Sequence, residues 1–327
     1  MDKKNCGGKG FVLGANFLPS TAANPVEMWR KDLFDPDTIR KELKLAAAWG
    51  YNSVRVFLSF AVWERERETF LHTFDRFLQI ADEEGYTVMP VLFDDCGNGD
   101  VKYDGQTAPV PFTHNSVWCA CPGTAYDGSE KIVREYAWEI LSRYAADRRI
   151  YMWDLYNEPG NTGRGLKSER LLLNAFAWAR EIPLTQPVTA GIWGYEIEPA
   201  NDALRVLEKE SIEFSDVVSF HNYDTPEKLA EIIAKLEKYG KPLICTEWMA
   251  RQRSSTILDN LSIFKEKNIG CYQWGLVNGR TQTHYPWGWS EHAEPEVWFH
   301  DIFRKDGSPY DTKELEYIKQ LGLCDRS

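Results

Sequence analysis

The chain has 327 residues, 43% of them hydrophobic and 13% aromatic, which is enough apolar side chain to bury a large core and excludes disorder. A formal net charge of −11 argues against nucleic acid or an anionic membrane surface as a partner, because neither attracts an acidic chain, and favours a neutral ligand. No uninterrupted apolar run approaches the roughly 20 residues needed to span a bilayer, so no membrane partner is expected.

In chain order, Met1 to Gly8 lead towards a first strand without a signal-like apolar region. The chain as written is therefore expected in the cytoplasm, or outside the cell if an export signal has been removed. Strand-like apolar runs cover Phe11 to Asn16, Ser53 to Ser59, Thr87 to Phe93, Ile150 to Tyr156, Pro187 to Trp193, Val217 to His221, Leu243 to Trp248 and Cys271 to Leu276. Helix-like segments follow in alternation: Pro36 to Trp49, Phe70 to Glu84, Ser129 to Ala146, Gly165 to Arg180, Pro199 to Glu208, Pro226 to Tyr239 and Ser254 to Lys267. In Pro226 to Tyr239, residues Leu229, Ile232, Ile233 and Leu236 recur at the three-four spacing of one buried face. Thr225-Pro226 supplies an N-cap and a first-turn proline there, and Gly240 a stop. Eight βα alternations with fully apolar strands predict a parallel sheet sheathed by helices and closed on itself, a single (β/α)8 TIM barrel forming one domain over residues 1–327.

Such a barrel works at the carboxyl ends of its strands. The fourth run leads into Asn157-Glu158-Pro159 and the seventh ends in Thr246-Glu247-Trp248, so two glutamates stand at two strand exits. Cleaving a sugar acetal requires a proton for the leaving oxygen and a negative group opposite the anomeric carbon, and a pair of carboxyl groups supplies both. In that chemistry Glu158 needs a raised pKa to stay protonated, while a nearby cation such as Arg55, set inside the apolar run Val54-Arg55-Val56-Phe57, keeps Glu247 ionised. Asp94-Asp95, His221-Asn222-Tyr223, Trp193 and Gln273-Trp274 close other strands on the same rim. Each has a plainer reading: a strand-end Glu can cap a helix, Arg55 can pair within the barrel wall, and His221 can be a satisfied core histidine.

These residues resemble the retaining β-glycoside hydrolases of the TIM-barrel clan that includes the family-five cellulases and mannanases. The resemblance implies Glu158 as acid/base beside Asn157, Glu247 as nucleophile, Arg55 supporting the nucleophile, His221 and Tyr223 lining the cleft and Trp274 flooring the sugar site. One position departs from it: family-five enzymes place a His after the third strand, where this chain has Asp94-Asp95, and Asp95 is taken as the substrate contact there. The activity implied is hydrolysis of β-linked oligosaccharides or polysaccharide fragments, without cofactor or metal. An endo-acting β-glycanase and a carbohydrate-binding barrel without catalysis are the alternatives.

Of the 13 tryptophans, Trp49, Trp138, Trp153 and Trp178 fall in helix or strand patterns and are expected in the core. Trp193, at the end of the fifth strand, is expected at the substrate. The stretch from Asn278 to Trp289, rich in Gly, Pro and aromatics, reads as a binding loop carrying Trp287, and the long loop from Asp94 to Asp127 brings Trp118. Two enlarged loops on one rim point to a pocket closed on one side, hence to exo or short-oligosaccharide action. The seven cysteines are odd in number, and Cys96, Cys119 and Cys121 beside His114 lack a C-x-x-C pair, so free thiols or one local disulfide are expected rather than zinc. The sequence carries no signal of oligomeric state.

Overall fold

A computed structural model describes residues 10–97, 102–194 and 202–324. Strands run at Leu13–Asn16 (β1), Ser53–Phe57 (β2), Thr87–Asp94 (β3), Trp153–Asn157 (β4), Val188–Gly191 (β5), Val218–Asn222 (β6), Leu243–Trp248 (β7) and Gly270–Trp274 (β8). Helices lie at Pro25–Trp29 (α1), Pro36–Ala47 (α2), Phe60–Glu83 (α3), Ala125–Gly128 (α4), Glu130–Arg143 (α5), Glu169–Arg180 (α6), Asp202–Phe214 (α7), Pro226–Leu236 (α8), Ile257–Glu266 (α9) and Thr312–Gln320 (α10). The strands are parallel in the order β5-β4-β3-β2-β1-β8-β7-β6. A bridge between Ile192 and Phe220 draws the two edges together, making a nearly closed barrel with helices outside.

The sheet interior is built in layers, because alternate residues of each strand return to the same face. Met89, Met152, Val217, Ile244 and Tyr272, in or beside five different strands, form a small cluster separate from the main core. Two residues beyond Met152, the same face of β4 presents Asp154, fully buried. Two residues beyond Ser53, whose hydroxyl meets Tyr272 at 2.7 Å, β2 presents Arg55, also fully buried. A charged layer thus sits directly on an apolar plug. Register carries this layer around the rim: Asn16 faces Arg55, Asp94 faces Asn157, Asn157 faces Gly191, and His221 faces Glu247.

The structure departs from the sequence reading at several elements. The second helix begins at Phe60 rather than Phe70, capped by Ser59, and passes a kink where Glu66 has φ −141°. The segment from Pro199 to 201, expected to open a helix, lies outside the described residues, and α7 continues to Phe214. Helices α1, α4 and α10 have no counterpart in the sequence reading. Trp138, expected in the core, is 41% exposed, because the buried stripe of α5 is Val133, Tyr136, Ala137, Ile140 and Leu141 and position 138 falls off it. Trp153 and Trp178 are buried as expected and Trp49 is half-buried against the core. Among the described residues no helix is long and apolar enough to cross a membrane.

Candidate active site

Glu158 and Glu247 meet. One oxygen of each carboxylate and a ring nitrogen of His221 all lie within 4.8 Å of one another. Glu158 stands one residue past β4 in the left-handed region, at φ +47°, a conformation costly for a residue with a Cβ that aims its side chain across the barrel mouth. Its backbone N–H is tied to the Gly191 carbonyl at 3.2 Å.

Around Glu247 the fixed element is Arg55. Its guanidinium donates to Glu247 Oε1 at 3.0 Å, Asn16 Oδ1 at 2.7 Å, Asn157 Oδ1 at 2.6 Å and, from two nitrogens, Asp154 Oδ2 at 3.0 and 2.7 Å. Burial opposes its charge, but the carboxylates of Asp154 and Glu247 outweigh that and raise its pKa further. The second oxygen of Glu247 accepts from the Tyr223 hydroxyl at 2.7 Å. Arg55 is therefore both the buried ion-pair partner of the barrel wall and the support of the carboxylate expected to be the nucleophile.

Glu158 is held differently. His221 Nδ1 lies 2.5 Å from Oε1, while Oε2 accepts from the Cys96 thiol at 3.0 Å and from the Asn161 amide. Burial pushes the Glu158 pKa up, but these donors and the His221 charge hold it below the usual carboxylate range. Burial likewise works against a charged His221, and Glu247 and Glu158 overcome it and raise its pKa. Glu158, expected to be raised, is thus lowered, and His221 beside it is raised. Gly191 makes the room, since a Cβ there would stand 3.2 Å from His221 Nε2.

The other expected residues divide. Asn157 joins the two clusters, accepting from Arg55 and donating to Asp94 Oδ1 at 2.8 Å. Asp94 also accepts from Trp118 Nε1 at 2.8 Å, and burial raises its pKa to about 7. Asp95, expected at the substrate, turns instead into the loop after β4. Its oxygens take Tyr156 Oη at 2.7 Å, the Gly160 N–H at 2.7 Å and the Ser168 hydroxyl, and it pairs with Arg164. Trp274 is half-buried and meets Phe57 and Trp118 edge-on at 5.6 and 5.4 Å. Trp193 bonds the Pro159 carbonyl at 3.3 Å on the Glu158 side, and Trp287, 47% exposed, meets the Tyr223 ring at 5.0 Å. Asn16, Asp154, Cys96 and Asn161 are site residues that the sequence reading did not assign.

The two long rim loops are joined. Asn115 N–H bonds the Thr281 carbonyl at 2.9 Å, Gln282 bonds Phe112 N–H at 3.0 Å and the Val110 carbonyl at 2.8 Å, and His114 bonds the Tyr285 carbonyl at 2.8 Å. Beneath them is an open hollow lined by Asn16, Phe57, Trp118, Trp274, Thr283 and Asp301; Glu158 and Glu247 are not among its lining residues. Cys96, Cys119 and Cys121 are free thiols. They do not converge on His114: Cys119 points to the Val117 carbonyl at 3.4 Å and Cys121 to the Leu92 carbonyl at 3.4 Å. Among the described residues, Glu158, His221 and Glu247 are the group close enough to share a metal ion, and the Arg55 guanidinium already supplies positive charge beside it.

Compared with known proteins, residues 14–280 match the model of the cellulase family, glycosyl hydrolase family 5. No curated protein sequence matches the chain. Among solved structures, the chain is similar to the exo-β-1,4-mannosidase Op5Man5 from Opitutaceae bacterium strain TAV5, at TM-score 0.63 and 17% identity over 96% of this chain and 59% of that one. It therefore spans less than two thirds of that mannosidase. A GH5_18 variant from Streptomyces cattleya, in complex with Manβ1-4GlcNAc, aligns at TM-score 0.67 and 12% identity over 96% and 80% of the two chains. The endo-β-1,4-mannanase from Thermotoga petrophila aligns at TM-score 0.61 and 14% identity over 96% and 77%. At such identities the likeness to each structure is one of fold.

Proposed function

The chain belongs to glycosyl hydrolase family 5, and from that premise we propose that it cleaves β-mannosidic bonds in short oligosaccharides with retention of configuration, Glu158 acting as acid/base and Glu247 as nucleophile. The observation that carries this reading is the approach of the two carboxylates and His221 to within 4.8 Å. Retaining pairs stand about 5 to 5.5 Å apart and inverting pairs roughly 6.5 to 9.5 Å, the larger gap leaving room for a water.

In the first step a pyranose lies between Trp274 and the two glutamates, and Glu247 attacks the anomeric carbon as the glycosidic bond breaks. The leaving oxygen takes a proton from Glu158, which draws it from His221 across their 2.5 Å contact. Tyr223 and Arg55 orient Glu247 for the attack. In the second step Glu158, now a carboxylate, takes a proton from water as the water oxygen attacks the anomeric carbon and its bond to Glu247 breaks. Mannose as the sugar is supported by the mannosidase and mannanase among the similar folds. Action at chain ends is supported by the joined loops, which wall the hollow on the side of β8, β1 and β3. Trp287 and Trp193, on either side of the glutamates, are proposed as contacts for the rest of the substrate.

The test is hydrolysis of a panel of aryl β-glycosides by the unmodified protein and by Glu158→Gln and Glu247→Gln, with the first-formed anomer read by proton NMR. Turnover of the β-mannoside giving β-mannose first is expected. An α-anomer product removes retention, and sugar binding without turnover makes the protein a carbohydrate-binding barrel. Mannohexaose is expected to give mannose as its first product; mannobiose and mannotriose instead indicate endo action.

A further inference from the structure

Cys96 lies two residues beyond the end of β3, and its backbone N–H is fixed by Asp94 Oδ1 at 2.9 Å. Its sulfur stands 3.0 Å from Glu158 Oε2, within reach of an S–H donor. Asn161 Nδ2 touches both members of this contact, bonding Oε2 and lying 3.3 Å from the sulfur. Asn157 Nδ2 approaches the sulfur at 3.6 Å from the other side. The position of the sulfur is thus determined by three neighbours from the end of β4 and the loop after it, and its proton has the Glu158 carboxylate as its acceptor.

We propose that Cys96, together with Asn161, is a positioning residue that sets the protonation of the acid/base Glu158 and fixes the rotation of its carboxyl group. The inference rests on the role of Glu158 proposed above. His221 occupies Oε1, so before substrate arrives both oxygens of Glu158 already accept hydrogen bonds, and all of these bonds favour the anion. Burial and the carboxylates of Glu158, Asp94 and Glu247 push the thiol well above its ordinary pKa, so it stays protonated and acts only as a donor. A carboxylate stabilised in this way is ready to take a proton from water in the second step, and it gives up protonated population in the first. The thiol therefore shifts the balance between the two steps without touching the sugar.

The test is the ionisation of the Glu158 carboxyl, followed by carbon-13 NMR of the labelled side chain, with kcat/KM on an aryl β-mannoside measured alongside, for the unmodified enzyme, Cys96→Ala, Cys96→Ser and Asn161→Ala. Removing a donor raises the proton affinity of Glu158, so Cys96→Ala is expected to move the Glu158 titration limb upward by about 0.5 to 1 pH unit, as one hydrogen bond to a charged group implies. Cys96→Ser, which keeps a donor, is expected to hold the limb within about 0.3 unit, and Asn161→Ala to move it in the same direction as Cys96→Ala. A merely structural role would lower kcat without moving the limb. A limb unmoved in Cys96→Ala, with Glu158→Gln inactive, overturns the inference alone. Undiminished activity in Glu158→Gln overturns the role of Glu158 itself. If Cys96→Ala fails to fold, Asn161→Ala gives the same readout, and an unmoved limb there overturns the proposal.

Discussion

The two walls of the cleft hold chemically equal side chains by unequal means. Glu247 faces a guanidinium whose charge is permanent and whose other donors are tied to Asp154, Asn16 and Asn157 deep in the barrel. Glu158 faces an imidazole that titrates, a thiol and an amide, all within the loops and strand ends of the rim. A nucleophile must stay charged and keep its place, whereas an acid/base must change protonation state twice in each cycle. The partners match those demands: a fixed cation for one carboxylate, and neutral or titratable donors for the other.

The comparison is broken most strongly at Glu247. Replacing it with Gln removes the covalent step, and kcat is expected to fall on the order of 10⁴-fold or more for every aryl β-glycoside, whatever its leaving group. Glu158→Gln is expected to cost roughly 10² to 10⁴-fold in kcat/KM for substrates that need a proton on the departing oxygen, and far less in kcat/KM for a dinitrophenyl leaving group that departs as an anion, while kcat stays low for both because the second step has lost its base. Rates measured across leaving groups of graded pKa for both variants check this. Equal sensitivity in the two variants would erase the distinction between the walls.

Arg55 tests the same contrast through stability. Arg55→Leu leaves Asp154 and Glu247 as neighbouring buried carboxylates with no cation between them. Removing one partner of a buried, hydrogen-bonded ion pair costs about 3 to 5 kcal/mol, and urea unfolding is the measurement. Nothing comparable holds the Glu158 wall, so Asn161→Ala, at a partly exposed position, is expected to cost about 1 kcal/mol in the same assay.

Much of this was legible in the sequence because barrel chemistry is concentrated where strands stop. Glu158, Glu247, Arg55, Asn157, His221 and Tyr223 all stand within or beside a strand and converge as the eightfold alternation implies. Asn16 was equally legible, as an Asn ending a strand, and Asp154 shows itself once Met152 is placed inward, since the same face returns two residues later. Cys96 and Asn161 were not legible. Their contact with Glu158 is set by how two loops after different strands fold against each other, which strand periodicity does not encode. Asp95 shows the converse: its place beside Asp94 looked catalytic, but the pleat turns adjacent residues to opposite sides, so Asp94 meets Asn157 and Asp95 meets Tyr156. Helix α10 escaped because its buried side chains are few, Leu315 and Ile318 beside Glu314, and the glutamate is there to pair with Arg251 at 2.6 Å.

The smallest expected effect separates the walls by pH. His221 has its pKa raised in the folded protein by the carboxylates it faces, so the stability it contributes is fully present below about 6.5, its ordinary value, and is lost as pH rises through the folded value. Glu158 is shifted downward, so its contribution is present above its ordinary value, about 4.3, and is lost only as pH falls. Asp94 and Glu42, both raised to about 7 by burial, also lose stability as pH climbs from the acid side, but their contribution levels off once they are ionised. The part of any decline in thermal midpoint above about pH 7 and below about 8.5, where the buried thiols begin to contribute, is therefore expected from His221 rather than from the buried carboxyls. His221→Gln is expected to flatten that part of the curve while leaving the acid side unchanged in sign. Arg55, charged throughout, adds no slope, so the pH-sensitive part of the site's stability lies on the Glu158 wall; an unchanged slope in His221→Gln would place the titrating group elsewhere and leave the two walls electrostatically alike.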